Sequence, residues 1–336
     1  MHMTDALLSP AVGGSLWAAS AVTAAVAARR ARFDLDDTRA PLMGVVGAFV
    51  FAAQMVNVAI PGTGSSGHLG GGLLLAILLG PSAGFLTIFA ILFVQALLFA
   101  DGGLLALGAN AFNLGVLPCF AAYPLLYRPL ARRLGERGET LAAVVAAVVG
   151  LQVGALGVVS ETVASGITEL PFRTFALAML PIHLPVGIVE GLLTAAVVRI
   201  VKRARPDVLG GPAAAAPVRP RRLAAGFLAA GLVTAGVVSW LASARPDGLE
   251  WSVANVAGGE PQRNGRLHAV LAEAQRRLAA LPDYALPKRA GESPGASRAE
   301  TSLAGLAGAA ATLLLVAGVG LALRRGRKRA EPPATG

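Results

Sequence analysis

Met1 and His2 place a free α-amine directly before an imidazole, and that pair can wrap a metal ion in three nitrogens. The donors are the Met1 amine, the His2 backbone nitrogen and the His2 ring Nδ1. Amine and amide close a five-membered ring through the ion, amide and imidazole close a six-membered one, and both lie in one plane. Planarity suits Ni(II) or Cu(II) over Zn(II). The reading needs an intact start, and His2 is too bulky for the usual trimming of an initiator methionine, so Met1 is expected to stay. A fourth nitrogen is available from His68, at the end of the loop Pro-Gly-Thr-Gly-Ser-Ser-Gly-His over Pro61–His68. Neutral nitrogens are accessible near neutral pH, since an α-amine titrates at about 7.7–8.0 and a histidine at about 6.5. The plainer alternative makes His2 an incidental polar residue and His68 a hydrogen bonder at a helix start.

Other polar residues compete for roles. Asp5 can accept a hydrogen bond from a ligating ring or cap the helix that begins nearby. Ser66, Gln95 and His183 are further candidates to support the ligands. Ser66 and His183 also suggest a different chemistry: intramembrane serine proteases of the rhomboid type use a Gly-x-Ser-Gly serine and a histidine on a later helix, and Gly64-Ser65-Ser66-Gly67 with His183, Gly187 and Gly191 resembles that set. A Ser–His dyad needs only hydrogen-bond reach, although Pro181 and Pro185 suggest a broken helix around His183. His183 and Glu190 fall on one helix face. An intramembrane acid is costly and is usually functional or paired; packing or a subunit contact is the plainer role, and Gln95 and Asp101 add little support for a proton relay. No Gly-x-x-x-x-Gly-Lys-Ser/Thr run exists and the only lysines are Lys202, Lys288 and Lys328, so ATP in the P-loop manner would have to be bound by a partner.

These groups must be positioned by an unusually apolar chain. It is 55% hydrophobic and 14% charged, with a mean hydropathy of +0.64, which marks an integral membrane protein. Expected spans are Gly13–Ala28, Leu42–Ile60, Leu69–Gly80, Ala83–Ala100, Leu104–Leu126, Thr140–Val159, Phe175–Val198, Leu223–Ala242 and Leu303–Leu323. Arginine-rich loops follow the first, fifth, seventh and last of these. The net charge of +10 is therefore read as topological rather than as a nucleic-acid footprint. Two crossings between Leu69 and Ala100 put every short basic loop inside, although Leu69–Gly80 is short of the ~20 residues a crossing needs. The N-terminus, which carries no basic signal-peptide start, and the loop Pro61–His68 then both face outside, with the C-terminus inside. Cys119, the single cysteine, reads as an inert buried thiol.

Organisation follows from composition. A seven-span part over residues 1–200 leads into a Pro/Ala/Arg-rich linker at 201–222. A two-span module covers 223–325, with an outer segment at 243–301, and a basic tail runs from 326 to 336. Within the outer segment Arg263–Leu281 is expected to form an amphipathic helix with Leu267, Val270, Leu271, Ala274 and Leu278 along one side.

Several long runs together resemble one family, the substrate-binding membrane components of energy-coupling-factor transporters for nickel and cobalt. Met1-His2-Met3-Thr4-Asp5-Ala6-Leu7-Leu8-Ser9-Pro10 resembles their start, and Ser66-Gly67-His68-Leu69-Gly70-Gly71 their second metal-binding segment. The run Gln95–Gly103 continuing through Gly108–Asn113 is similar to another signature. Pro246-Asp247-Gly248-Leu249-Glu250 resembles the motif of the small two-span accessory component. The resemblance implies a fused pair, all-α, in the bacterial cytoplasmic membrane. It implies Ni(II) or Co(II) as the transported substrate, held by Met1, His2 and His68, with no resident cofactor and no catalysis of its own. It also implies a transmembrane coupling subunit and two cytoplasmic ABC-type ATPase subunits as partners, and a link to cobalamin biosynthesis. Met3, Thr4 and Ala6 depart from the family's usual start and blur nickel against cobalt. An intramembrane protease using Ser66 and His183, or a metal transporter independent of ATP, are the alternatives.

Overall fold

The computed structural model describes residues 2–34, 39–206, 220–257, 265–287 and 297–330. Met1, most of the expected linker and the end of the expected tail lie outside them. The described residues are helical apart from short turns and one two-strand antiparallel ribbon. In chain order the elements are α1 (Pro10–Asp34), α2 (Arg39–Gln54), β1 (Val58–Ala59), β2 (Ser66–Gly67), α3 (Gly72–Leu79) and α4 (Pro81–Leu98). They continue with α5 (Leu107–Ala111), α6 (Arg128–Ser165), α7 (Phe172–Ala204), α8 (Pro220–Gly236), α9 (Gly248–Ala257), α10 (Arg266–Leu278) and α11 (Arg298–Ala330). Between α5 and α6 the chain stays helical over Phe112–Tyr127 but winds more widely, across Pro118 and Pro124. Proline supplies no N–H for the usual ladder, so the turns there must open.

Five helical stretches among the described residues are long and apolar enough to cross a membrane: Pro10–Arg32, Pro81–Leu98, Leu107–Ser165, Phe172–Ala204 and Arg298–Arg325. The third is 59 residues long, and Gly135, with φ 64° and ψ −161°, breaks it. Each expected span falls on helical chain, with two instructive differences. The segment expected at Leu42–Ile60 leaves the helix at Gln54 and enters β1. The segment expected at Leu69–Gly80 is helical only over the eight residues of α3. At 1.5 Å per residue α3 rises about 12 Å and α4 about 27 Å, so α3 alone is too short to cross a bilayer, and the residues before it, 66–71, are non-helical. Backbone of that kind is tolerated at membrane depth only where protein groups satisfy its N–H and C=O.

The spans pack through small residues. α7 turns Met179, Ile182, His183, Gly187, Glu190, Gly191, Thr194 and Val198 inward at helical spacing, and α6 answers with Ala143, Ala147, Gly150, Gly154 and Ala155. A Cβ on Gly191 would collide with Val144 Cα, and one on Gly187 would sit 2.8 Å from Val148 Cα, so the two backbones touch. α8 and α11 pack on α2. α10 shows its expected apolar side only in part to the core: His268 and Gln275 are buried and Leu271 packs against the core, whereas Leu267, Val270 and Leu278 are exposed. Hydrogen bonds to neighbouring main-chain carbonyls outweigh the apolar stripe there.

Gly191→Ala should therefore lower the stability of the detergent-solubilised protein by about 1–3 kcal/mol through overpacking. Gly14→Ala, whose Cβ would meet nothing within 4 Å, should leave the melting temperature unchanged or slightly raised; equal effects would show that α6 and α7 are not in backbone contact.

Candidate metal site

The chain after the first residue is folded inward as a plug. Met3 and Leu8 are fully buried, and His2, Asp5 and Leu7 nearly so. A buried irregular segment needs partners for its peptide groups, and Asn110 supplies them. Its Oδ1 accepts the Met3 N–H at 2.7 Å and its Nδ2 donates to Met3 O at 3.0 Å. Gly103 N–H reaches the same carbonyl at 3.2 Å. Asp5 accepts the Ala106 N–H at 2.9 Å and so binds the backbone leading into α5. Its carboxylate lies so close to Gly103 that a Cβ there would collide with it.

The plug brings His2 onto His68. The rings stack with centroids 4.9 Å apart and planes 17° from parallel. Asp5 accepts from Ala106 and Ser66 donates to Arg245 O. Asp101 holds the His2 ring, with Oδ1 3.1 Å from Nδ1, and Tyr284 donates its O–H to Asp101 Oδ2 at 2.5 Å while stacking on Phe99. His68 Nδ1 lies 3.0 Å from Leu69 O. A carbonyl can only accept, so this nitrogen carries the proton and Nε2 keeps its lone pair. His2 Nε2 is buried without a hydrogen-bond partner. The fused-ring chelate expected from the sequence uses Nδ1, so forming it requires the His2 ring to exchange Asp101 for the ion. Among the described residues no three His, Cys, Asp or Glu side chains gather to hold a metal. The Met1 amine lies outside those residues.

Asp101 is the carboxylate that sequence reasoning undervalued, and Asn110 and Tyr284 are the residues it missed. The signal was present for two of them in the run from Gln95 to Asn113. Tyr284 carried none, because it arrives from the far end of the chain. Gln95 donates to Gln54 Oε1 at 3.0 Å, and Gln54 in turn to Gly70 O at 2.8 Å. Both therefore brace the chain below His68 rather than the ligands themselves.

Ser66 and His183 do not form a dyad. Ser66 Oγ donates to Arg245 O at 2.8 Å and its N–H to Pro246 O at 2.8 Å, while His183 Nδ1 donates to Met179 O at 2.7 Å. The His183 ring packs against Gly248, where a Cβ would come within 2.9 Å of Cε1. The two residues instead receive the Pro-Asp-Gly-Leu-Glu run. Asp247 Oδ1 accepts the N–H groups of Leu249 and Glu250, and Glu250 accepts the Asp247 N–H, a reciprocal cap that starts α9. Farther along, His268 Nε2 lies 2.8 Å from Leu8 O, and Gln275 donates to the carbonyls of Ala96 and Gly102. Leu281 and Asp283 donate main-chain N–H groups to Leu98 O and Phe99 O.

Charge follows geometry. Removal from water pushes His68 down to about 3, with the neighbouring His2 ring acting in the same direction. Burial alone would raise Asp101, but His2 and the Tyr284 hydroxyl hold it well below the usual carboxylate range. Burial, and then the adjacent Asp101, push Tyr284 up.

Comparison with known proteins places this geometry. The family described as the cobalt uptake substrate-specific transmembrane region, CbiM, matches residues 2–208, and the PDGLE domain matches residues 221–325. A protein of Archaeoglobus fulgidus named as a fused nickel transport protein is 34% identical over 97% of this chain and 98% of its own length. One of Haloquadratum walsbyi named for metal transport is 42% identical over 62% of this chain and 93% of its own. Among solved structures, a truncated transition metal transporter is 33% identical with a TM-score of 0.54, covering 60% of this chain and 99% of that one.

The metal-free protein should lose stability as the pH falls below about 6.5. The unfolded chain protonates His68 near 6.5, while the folded chain resists until about 3, so the unfolded state binds more protons across that window. His68→Ala should flatten the loss between those limits, leaving the Asp101 contribution at still lower pH; an unaltered profile in urea titrations would show that the ring is not withheld from water.

Proposed function

The chain belongs to the CbiM family of cobalt-uptake substrate-specific transmembrane proteins, here joined to a PDGLE domain, and we propose that it takes up Ni(II) or Co(II) as the substrate-specific component of an ATP-driven transporter of the energy-coupling-factor type. Its membership makes it a multi-pass membrane protein of metal transport rather than an enzyme. The observation that carries the finer reading is the stacking of His2 on His68, two imidazoles far apart in sequence that a buried N-terminal plug brings to 4.9 Å.

In this reading the ion is held by the Met1 amine, the His2 amide and ring nitrogens, and His68. Asp101 and Tyr284 orient the His2 ring before the ion arrives, and Asp5 and Asn110 keep the plug in register. A planar set of nitrogen donors would favour nickel, and relatives named as nickel transport proteins match the fused arrangement; the cobalt-transport relatives keep Co(II) as the other substrate. Energy comes from partners, a coupling subunit and two ATPase subunits, because the chain has no phosphate-binding loop. The division at residues 1–200, 201–222, 223–325 and 326–336 is proposed as transport part, linker, accessory module and tail. The N-terminus and the segment 243–301 face outside the cytoplasmic membrane and the C-terminus inside. The accessory module aids loading by holding the end of α4 and the loop before His68.

His2→Ala should reduce bound nickel per purified protein to background, and stoichiometric binding in that variant would reject the site. Tyr284→Phe keeps the ring on Phe99 but frees Asp101, and should weaken nickel binding about tenfold, as expected for a group that orients a ligand. In vesicles, uptake should appear only with the coupling and ATPase subunits present; uptake by the chain alone would replace the ATP-driven reading with secondary transport.

A further inference from the structure

Glu190 lies buried on α7, within a membrane-spanning helix where a carboxyl group is costly unless its oxygens are paired. Both oxygens are paired, and to successive backbone groups: Oε2 accepts the Gly70 N–H at 2.9 Å and Oε1 the Gly71 N–H at 3.1 Å. The N–H of Gly70 and the C=O of Leu69 are the two ends of one peptide group. That carbonyl accepts the Nδ1–H of His68 at 3.0 Å.

We propose that Glu190 is a positioning residue for the metal site, acting on His68 through the single peptide group between Leu69 and Gly70. A hydrogen-bond acceptor at the N–H end of a peptide increases electron density on its carbonyl oxygen, and hydrogen bonds in such a chain strengthen one another. The carbonyl then holds the Nδ1–H more firmly, keeps the proton off Nε2 and makes Nε2 a stronger donor to a metal. Histidine ligands are commonly tuned by a carboxylate or a carbonyl on the other ring nitrogen, and here the two are placed in series. The local chain is built for it. Gly71 has φ +81°, a left-handed turn that leads the chain into α3 directly after the two N–H groups held by Glu190. A Cβ on Gly70 would come within 3.0 Å of Glu190 Oε2, and Gln54 fixes the next carbonyl from the opposite side.

The proposal rests on His68 being a ligand, and the test separates the two. Full-length protein is purified as wild type, Glu190→Gln and His68→Ala, and each is titrated with Ni(II) while the visible absorption of the bound ion is recorded. Glutamine keeps the shape of Glu190 but must turn an amide NH2 toward one of the two N–H groups. Nickel should bind Glu190→Gln about tenfold more weakly, at the lower end of effects seen when a ligand's partner is removed, and its absorption band should move to longer wavelength as the donor weakens. Unchanged affinity and spectrum in Glu190→Gln, alongside lost binding in His68→Ala, would overturn the relay and leave the ligand reading intact. Weaker binding with an unmoved band would also overturn it, since that outcome describes a structural clamp. Full binding by His68→Ala would overturn both. Should the glutamine variant not fold, nitrogen-15 histidine spectra of the metal-free wild type still decide: protonated Nδ1 on His68 is expected, and protonated Nε2 would overturn the proposal.

Discussion

Non-helical backbone buried inside a protein must find its hydrogen bonds there, and the stretch from Ser66 to Gly71 sets that demand here. The ribbon with Val58–Ala59, the carbonyl of Pro246, the amide of Gln54 and the carboxylate of Glu190 each answer part of it. Once these are in place, His68 has little freedom. The short α3 is the counterpart of that arrangement, because a full-length helix would carry His68 out of the protein instead of folding it back toward His2.

The N-terminal plug solves the same problem from the other side. Its peptide groups are read by Asn110 and Gly103, and its one early carboxylate binds the backbone entering α5. The plug and the chain leading to α3 meet at the two imidazoles, which join two separately anchored segments. Each ring has a polar partner, Asp101 on Nδ1 of His2 and Leu69 O on Nδ1 of His68.

Much of this was legible in the sequence. The chemistry of His2 and His68 singled out the two rings that the structure stacks, and the apolar runs marked where its helices lie. The shortness of Leu69–Gly80 announced an irregular crossing. What could not be read depends on pairs distant along the chain. Asp5 was weighed as a partner for a ring or a helix, and it binds the Ala106 N–H because Gly103 leaves room for it. Tyr284 had no local pattern to mark it, since its purpose exists only where Asp101 stands. Ser66 and His183 suited a dyad by type, but each is engaged by a main-chain carbonyl, which no spacing rule reveals. The apolar side of α10 followed the helical period, yet of its larger residues only Leu271 packs against the core, because His268 and Gln275 found carbonyls to bind.

Apart from the Tyr284–Asp101 pair and the packing of α8 and α11 on α2, that last point extends along the seam between the two halves. His268, Gln275, Leu281 and Asp283 all address main-chain carbonyls, at Leu8, Ala96, Gly102, Leu98 and Phe99, and Ser66 returns the arrangement toward Arg245 and Pro246. A carbonyl oxygen is offered by every amino acid. The residues that present these acceptors can therefore drift during evolution without breaking the seam, and paired substitutions across it should be scarce in any family alignment, so that methods inferring contacts from covariation would underestimate how tightly the two halves are joined.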